Sequence, residues 1–420
     1  MEFKDFNLIR NLQEAINDIG YKNPTPIQQQ AIPIILDEKD LVGTAQTGTG
    51  KTAAFAIPII NYLHRLVSNS KRTKRIRTLV LTPTRELAIQ IAENFDNYAK
   101  YTKIKTLVIF GGVSQVPQVE KLKQGMDVLV ATPGRLLDLH KQGFIDLNHL
   151  HHLVLDEADQ MLDMGFINDV KKVIKLTPEN RQTLLFSATM PMAIRELADT
   201  FLKNPKYVSV APVSSASDIV KQKVYLVEKE NKRKLLLHVI QTENLKNVLI
   251  FTRTKGGANN VAKFLQKNNI SAEAIHGDKS QNARQRALNN FKNKEVDILV
   301  ATDVASRGID IDLLPYVINY ELPNVSETYV HRIGRTGRAG NEGIAISFCG
   351  RDEKIYLQDI EKLIRKKIKV VEDNPFPWNN AAQKEGSPNQ NSPKKDFRNK
   401  NKNNNSRKSN NSKKNKKRWY

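Results

Sequence analysis

The feature that most constrains this chain is an alternation, repeated along its length, of short apolar β-branched runs with helical stretches. Residues 78–82 (TLVLT) precede Pro83, and residues 127–131 (DVLVA) precede Thr132-Pro133-Gly134. Residues 152–155 (HLVL) precede Asp156, and residues 183–186 (TLLF) precede Ser187. These runs are apolar throughout, so the strands they form need cover on both faces. Such strands alternating with helices build a parallel sheet with helices on either side. Ligands of a sheet of this kind bind beyond the carboxyl ends of its strands. The polar residues that follow each run are therefore expected to meet at one crevice.

The pattern lapses over residues 206–217, where small residues and a proline carry no helical period, and this stretch reads as a linker. It resumes with apolar runs at 247–251, 296–300, 316–319 and 343–347. The expected fold is therefore α/β, with parallel-sheet domains at 1–205 and 219–371 joined by a linker at 206–218. A chain of 420 residues suits two or three domains. From 372 to 420 the chain is mostly Asn, Lys, Ser and Pro. That composition cannot bury enough surface to offset its ordering entropy, so it reads as a disordered basic tail.

Charge is distributed unevenly. Residues 379–420 hold thirteen Lys or Arg against two acids, a net +11 and half of the chain's +22. A polyanion such as nucleic acid is the partner such a balance suggests, although basic surface also serves solubility. Trp419 and Tyr420 stand beside cations, where base stacking is conceivable. No run of about 18 apolar residues suggests a membrane span, and the N-terminus lacks the pattern of a signal peptide. The single cysteine, Cys349, cannot form an internal disulfide and reads as a small buried thiol. A cytoplasmic location without membrane contact is expected.

Two stretches carry chemistry. Ala45-Gln46-Thr47-Gly48-Thr49-Gly50-Lys51-Thr52 lies between an apolar run and a helix-like segment. A loop entering a helix there points backbone N–H groups and the positive end of the helix dipole at an anion. Gly48 and Gly50 allow close approach, Lys51 would reach the β- and γ-phosphates of a nucleotide, and the Thr52 hydroxyl would ligate Mg²⁺. Ala45 stands where the strict pattern has its first glycine. The second stretch is Asp156-Glu157-Ala158-Asp159, which directly follows an apolar run. Asp156 would hold Mg²⁺, partly through water, and Glu157 would orient or deprotonate an attacking water. Taken alone, these acids could equally be the first turn of a helix.

About ten motifs in this order resemble the DEAD-box ATP-dependent RNA helicases, over roughly residues 1–370, and the N-terminal layout is similar to the bacterial RhlE-type branch. The resemblance implies two tandem RecA-like domains with ATP and Mg²⁺ as cofactors. Residues 20–28 resemble the family's Q motif, so Gln28 is expected on the adenine edge. Phe3 is expected to stack on the base, with Phe6 in the core. Residues 83–87, 111–112 and 132–135 resemble RNA-binding motifs of the first domain, implying RNA contacts from Thr84, Arg85, Gly112, Thr132 and Arg135. In the second domain, residues 250–254 and 281–284 resemble motifs facing RNA, and Arg253 and Thr302 are assigned to it.

By the same resemblance Asp310 meets the ATP ribose. Arg335 and Arg338, in residues 331–338, act as arginine fingers, while Ser187, Thr189, His331 and Arg332 couple hydrolysis to domain closure. Arginines spaced by three could otherwise be a solvated basic helix face. The implied activity is RNA-stimulated ATP hydrolysis by a monomer that melts short duplexes locally and remodels RNA or RNA–protein complexes. Its partners would be single-stranded and short-duplex RNA, gripped with little sequence preference. An ATP-regulated RNA chaperone or annealing clamp would carry the same motifs. A DNA helicase fits the Q motif and the DEAD tetrapeptide less well.

Overall fold

The computed structural model describes residues 1–46, 48–68, 75–210, 220–306, 314–337 and 343–378. Its first sheet is built from β1 (Leu41–Thr44), β2 (Thr78–Leu81), β3 (Thr106–Ile109), β4 (Val128–Ala131), β5 (His152–Leu155), β6 (Gln182–Ser187) and β7 (Lys206–Ser209). The second is built from β8 (Val220–Leu226), β9 (Val248–Thr252), β10 (Ala272–Ile275), β11 (Ile298–Thr302), β12 (Tyr316–Asn319), β13 (Gly343–Cys349) and β14 (Lys369–Val370). The spatial orders are β3-β4-β2-β5-β6-β1-β7 and β10-β11-β9-β12-β13-β8-β14. Each strand of the second sheet thus occupies the place of a strand of the first, and every pairing is parallel.

Alternate residues of the strands feed opposite faces. In the first sheet Val80, Val130, Val154 and Leu184 enter one core, while Leu79, Leu81, Leu129 and Leu153 enter the other. In the second, Val248, Ile250, Val300 and Ile318 face one way, and Leu249, Phe251, Leu299 and Val317 the other. This two-sided burial is what the continuous apolar runs require. Among the described residues no helix is long and apolar enough to cross a membrane.

Two expected boundaries move. Lys206–Ser209, taken as the start of the linker, is the edge strand β7, paired along β1 from Leu41↔Lys206 to Thr44↔Ser209. Only Val208 of the four is buried. An edge strand with one covered face lacks the apolar run that marks its neighbours. Residues 211–219 lie outside the described residues.

Residues 372–378, taken as the start of the disordered tail, lie against the second sheet. The Asn374 side chain donates to the Leu226 carbonyl at 2.7 Å, and the Trp378 indole N–H donates to the Cys349 carbonyl at 3.2 Å. Pro377 bridges to Val227, and the Arg351 guanidinium lies 5.7 Å from the Trp378 ring. Phe376 and Trp378 supply the apolar surface that the polar composition around them obscures. Residues 379–420, including Trp419 and Tyr420, lie outside the described residues. Cys349 is fully buried, and burial pushes its thiol up to about 12.

Candidate active site

β1 runs into a loop and then the helix Lys51–Ser68, so the helix N-terminus opens at the carboxyl edge of the first sheet. Gly48 and Gly50 adopt φ of 80° and 92°, a region where side chains are strained. A Cβ on Gly50 would also collide with the Gln28 amide. Gln28 closes a capping box on its own helix, accepting from Thr25 N at 2.9 Å, while its Nε2 donates to the Gly50 carbonyl at 3.1 Å. The Q-like segment therefore braces the loop before Lys51. Ala45, 2% exposed, bonds through its N–H to the Ser187 carbonyl at 3.0 Å, so this position continues the strand. The Thr49 hydroxyl donates to the Gln46 carbonyl at 2.7 Å, and Thr52 is half-buried one residue into the helix. Thr47 lies outside the described residues.

Across the loop, β5 delivers Asp156 and Glu157. Lys51 Nζ donates to Glu157 Oε1 at 3.1 Å, with side-chain exposures of 5% and 3%. Burial works against the Lys51 charge, but Glu157, Asp156 and Asp159 outweigh it and leave its pKa raised. Burial pushes Asp156 up to about 7 against the pull of Lys51. Glu157 sits at φ 55° and ψ 51°, a left-handed conformation uncommon outside glycine and typical of strained functional sites. Its second oxygen, Oε2, accepts from Gln160 Nε2 at 2.7 Å.

Asp159 faces the segment after β6. Its Oδ2 accepts from both the N–H and the hydroxyl of Thr189 at 2.8 Å, and its own N–H donates to Ser187 Oγ at 3.1 Å. The two residues assigned to coupling in the first domain are thus clasped to the strand end that carries Glu157.

A groove of about 510 Å³ is lined by Thr84, Arg85, Thr132, Arg135, Gly277 and Arg284, among others. Thr84 also caps its helix, accepting from Leu87 N at 3.3 Å. Gly112, at φ 74°, packs against the Arg85 guanidinium, where a Cβ would collide. Arg135 donates through Nη2 to the Val113 carbonyl at 3.0 Å, while its Nη1 and Arg284 Nε are buried without a protein acceptor. Buried cationic donors without acceptors suit an anion such as a phosphate. Both halves of the chain meet here: Glu86 Oε1 accepts from Gln281 Nε2 and from Arg284 Nη2, each at 3.0 Å.

Other expected residues stand elsewhere. Phe3 is as buried as Phe6, at 5% exposure, and stacks on Tyr21 with ring centroids 5.9 Å apart, so the contrast drawn between the two does not hold. Arg253 turns away from the groove to Glu353, at 3.2 Å, and lines a separate cavity of about 370 Å³. Thr302 is buried at the end of β11. Arg332, assigned to coupling, is 1% exposed. It forks onto Asp303 at 2.6 and 2.8 Å, bonds Asn319 Oδ1 and the Glu321 carbonyl, and lies over Phe251. With all three nitrogens engaged internally, it braces the second domain. His331 is half-buried and Arg335 is 7% exposed just beyond the helix Ser326–Ile333. Asp310 and Arg338 lie outside the described residues. Sequence reasoning did not single out Gln160 or the Glu86 junction, because neither shows until the fold brings its partners together.

Comparison with known proteins identifies the family. The DEAD/DEAH box helicase family matches residues 25–197, and the helicase conserved C-terminal domain matches residues 231–340. The DEAD-box ATP-dependent RNA helicase RhpA of Helicobacter pylori is 42% identical over 370 residues, spanning 88% of this chain and 74% of that protein. The ATP-dependent RNA helicase DbpA of Bacillus subtilis is 43% identical over 88% of this chain and 76% of its own length. Among solved structures, S. cerevisiae Dbp5 bound to RNA and ADP BeF3 matches with a TM-score of 0.77 at 30% identity, over 88% of this chain and 95% of that one. Mss116p bound to ssRNA and AMP-PNP matches with a TM-score of 0.79 at 29% identity, over 88% and 78%.

Proposed function

This chain belongs to the DEAD-box ATP-dependent RNA helicases, and on that premise we propose how its own residues divide the work. The enzyme hydrolyses ATP and acts on RNA, on two RecA-like parallel-sheet domains. Gln28 keeps one amide hydrogen and one carbonyl lone pair beyond its bonds to Gly50 and Thr25, enough for the bidentate edge of adenine. Phe3 stacks on the base once it parts from Tyr21. The loop from Ala45 to Gly50 cradles the phosphates, with Thr47 among its donors, and Asp310 takes the ribose.

The observation that carries the reading is the buried Lys51–Glu157 pair at the mouth of β1 and β5. Lys51 exchanges Glu157 for the β- and γ-phosphates, and the Glu157 carboxylate accepts from the attacking water. Thr52 and Asp156 would hold Mg²⁺. The donor set suits it: a hydroxyl and a carboxylate are hard oxygen ligands, and burial raises the cost of ionising Asp156 until a cation is near. Among the described residues no cluster of three or more His, Cys, Asp or Glu could hold a metal by itself, which suits an ion that shares phosphate ligands. Such an ion would supply charge neutralisation to the phosphates held by Lys51.

Arg335 and Arg338 complete the phosphate site from the second domain, and an arginine finger contributes about 10³–10⁵ to rate in comparable enzymes. RNA lies in the groove of Thr84, Arg85, Gly112, Thr132, Arg135 and Arg284; Thr302 is assigned to it from the second domain, and Arg253 joins it after releasing Glu353. A groove and an active site that both need the two domains together make ATP and RNA raise each other's affinity. Asp159, Ser187 and Thr189 transmit closure, with His331 on the opposite domain. The grip bends one strand, displaces its partner in short duplexes, and is released after hydrolysis.

The basic tail from 379 raises RNA affinity without sequence preference. The enzyme works as a monomer in the cytoplasm, and the layout of residues 1–28 favours the RhlE-type branch.

The test is steady-state ATP hydrolysis with and without single-stranded RNA, beside Lys51→Ala and a deoxy strand of the same sequence. RNA-specific stimulation, lost in Lys51→Ala, is expected. Equal rates with and without RNA would remove the coupling from this account.

A further inference from the structure

Resting on the reading of the groove of Thr84, Arg135 and Arg284 as the RNA site, we infer that Met164 and Phe166 form an apolar floor that packs against a sugar of the bound strand. Both line that groove of about 510 Å³, whose other side chains are mostly polar or charged. Both are half-buried. Phe166 packs on the core behind it, whereas Met164 stands outside both cores of the first domain.

The backbone holds the pair in place. The helix Ala158–Asp163 ends with Met164 as its C-cap, and Gly165 turns to φ 77°. Gly165 N–H donates to the Leu162 carbonyl and Phe166 N–H to the Met161 carbonyl, each at 2.9 Å. This pair of bonds closes a helix through a left-handed residue, which is why a glycine stands there. The chain then enters the helix Ile167–Lys175 at once, and the Phe166 carbonyl accepts from Val170 N at 2.9 Å. Met164 and Phe166 therefore flank a turn fixed by a helix on each side. A contact ordered before its ligand arrives costs little entropy on binding.

The occupant follows from what surrounds the floor. Arg135 and Arg284 line the same groove, and Arg135 Nη1 and Arg284 Nε are buried without a protein acceptor. Such donors suit phosphate. A nucleic-acid backbone alternates phosphates with sugars, and the carbon face of the sugar is its less polar part. An apolar floor beside phosphate donors matches that alternation. Because the sugar repeats at every nucleotide, the contact adds affinity without sequence preference. It releases no counterions, so its contribution does not fade with salt as that of the arginines does.

The experiment measures binding of a fluorescent single-stranded RNA to the full chain with AMP-PNP, over a range of salt concentrations and below the melting transition of every variant. Phe166→Ala is expected to bind about 5–10-fold more weakly throughout, the lower end of what one aromatic contact with a nucleotide is worth. Its slope of affinity against salt stays that of the wild type. Phe166→Leu, which keeps an apolar side chain, stays within about threefold of the wild type. Met164→Gln loses about two- to fivefold, on the scale of a small apolar area returned to water. Arg135→Gln instead lowers the slope by about one, as loss of a phosphate contact does. On an abasic strand of the same length the Phe166→Ala penalty persists.

Wild-type affinity in Phe166→Ala would overturn the inference. So would a slope lowered as in Arg135→Gln, which would make Phe166 only a support for the arginines. A penalty that vanished on the abasic strand, or a Phe166→Leu as weak as Phe166→Ala, would replace the sugar by a stacked base. If Arg135→Gln and Arg284→Gln both left affinity and slope unchanged, the groove reading beneath would fail instead, and the two failures are distinct.

Discussion

The two sheets share one strand order, and in both the helix after the first strand opens on a buried lysine. Lys51 begins the helix after β1, and Lys232 begins the helix Lys232–Thr242 after β8. They are 5% and 3% exposed. Their surroundings differ in kind. Lys51 follows Gly48 and Gly50 and donates to a single carboxylate, that of Glu157. Lys232 follows a 3₁₀ turn, Lys229–Asn231, with no glycine. It donates to the carbonyls of Tyr320 and Phe348 at 3.0 and 3.2 Å and to the Glu353 carboxylate. One ammonium has a partner that a phosphate can displace; the other is saturated by fixed acceptors. The same slot of the same fold holds the proposed catalytic lysine in one domain and an internally saturated one in the other, so function is sought in the loop and its partners.

The sharpest way to break that comparison is to remove each lysine. Lys232→Met would leave Glu353 buried beside Gly350, with only the half-exposed Arg253 as counter-charge. Stripping one partner from a buried pair costs about 3–5 kcal/mol. Urea unfolding should show that loss, and Lys232→Met with Glu353→Met should recover most of it. A stable single variant would mean that Lys232 is not a strut. Lys51→Ala should act on rate: about 10²–10³ lower kcat, the scale of deleting one preorganised donor. A large stability loss with unaltered turnover would reverse the assignment.

A smaller effect tests the loop. Gly50→Ala forces a side chain into the left-handed region, a cost of about 1–2 kcal/mol, and against the Gln28 amide. Equilibrium binding should show about tenfold weaker ATP. The same substitution at Gly256, which has no neighbour within 4 Å of a Cβ and no positive φ, should leave ATP binding unchanged.

The parts legible in the sequence are those whose physics is local. The loop before Lys51 is a local backbone requirement, and the acids after β5 follow an apolar run that could only be a buried strand. Both sheets were legible for the same reason, since two-sided burial leaves uninterrupted Val, Leu and Ile. What escaped depends on partners far away in the chain. β7 covers one face only, so Lys206, Tyr207 and Ser209 resemble a linker. The segment ending at Trp378 is held by carbonyls of β8 and β13. Arg332 resembles a coupling residue until Asp303, Asn319 and Glu321 enclose it. Gln160 directly follows the DEAD tetrapeptide, yet nothing in its neighbours announces the bond to Glu157.

The last comparison concerns acid. β5 begins with His152 where its counterpart β12 begins with Tyr316. His152 is 3% exposed, 3.3 Å from the Thr78 hydroxyl and edge-on to Tyr62, and burial, with His151 adding, holds its pKa down to about 3. The folded state thus binds this proton far less readily than the unfolded chain. Its contribution to stability is complete above about pH 6.5, the unfolded value, and is lost progressively as pH falls from there toward 3. Asp156, raised to about 7, acts with the opposite sign: its folded form favours the proton, so its contribution is lost as pH rises toward 7. The raw stability curve therefore mixes the two. Subtracting the curve of His152→Gln, which retains a polar partner for Thr78, isolates the histidine. The difference should be flat above pH 6.5 and shift steadily against the wild type below it, with amide protection in β5 falling before that in β12. A difference that stayed flat down to pH 4 would mean that His152 titrates alike in the folded and unfolded chain.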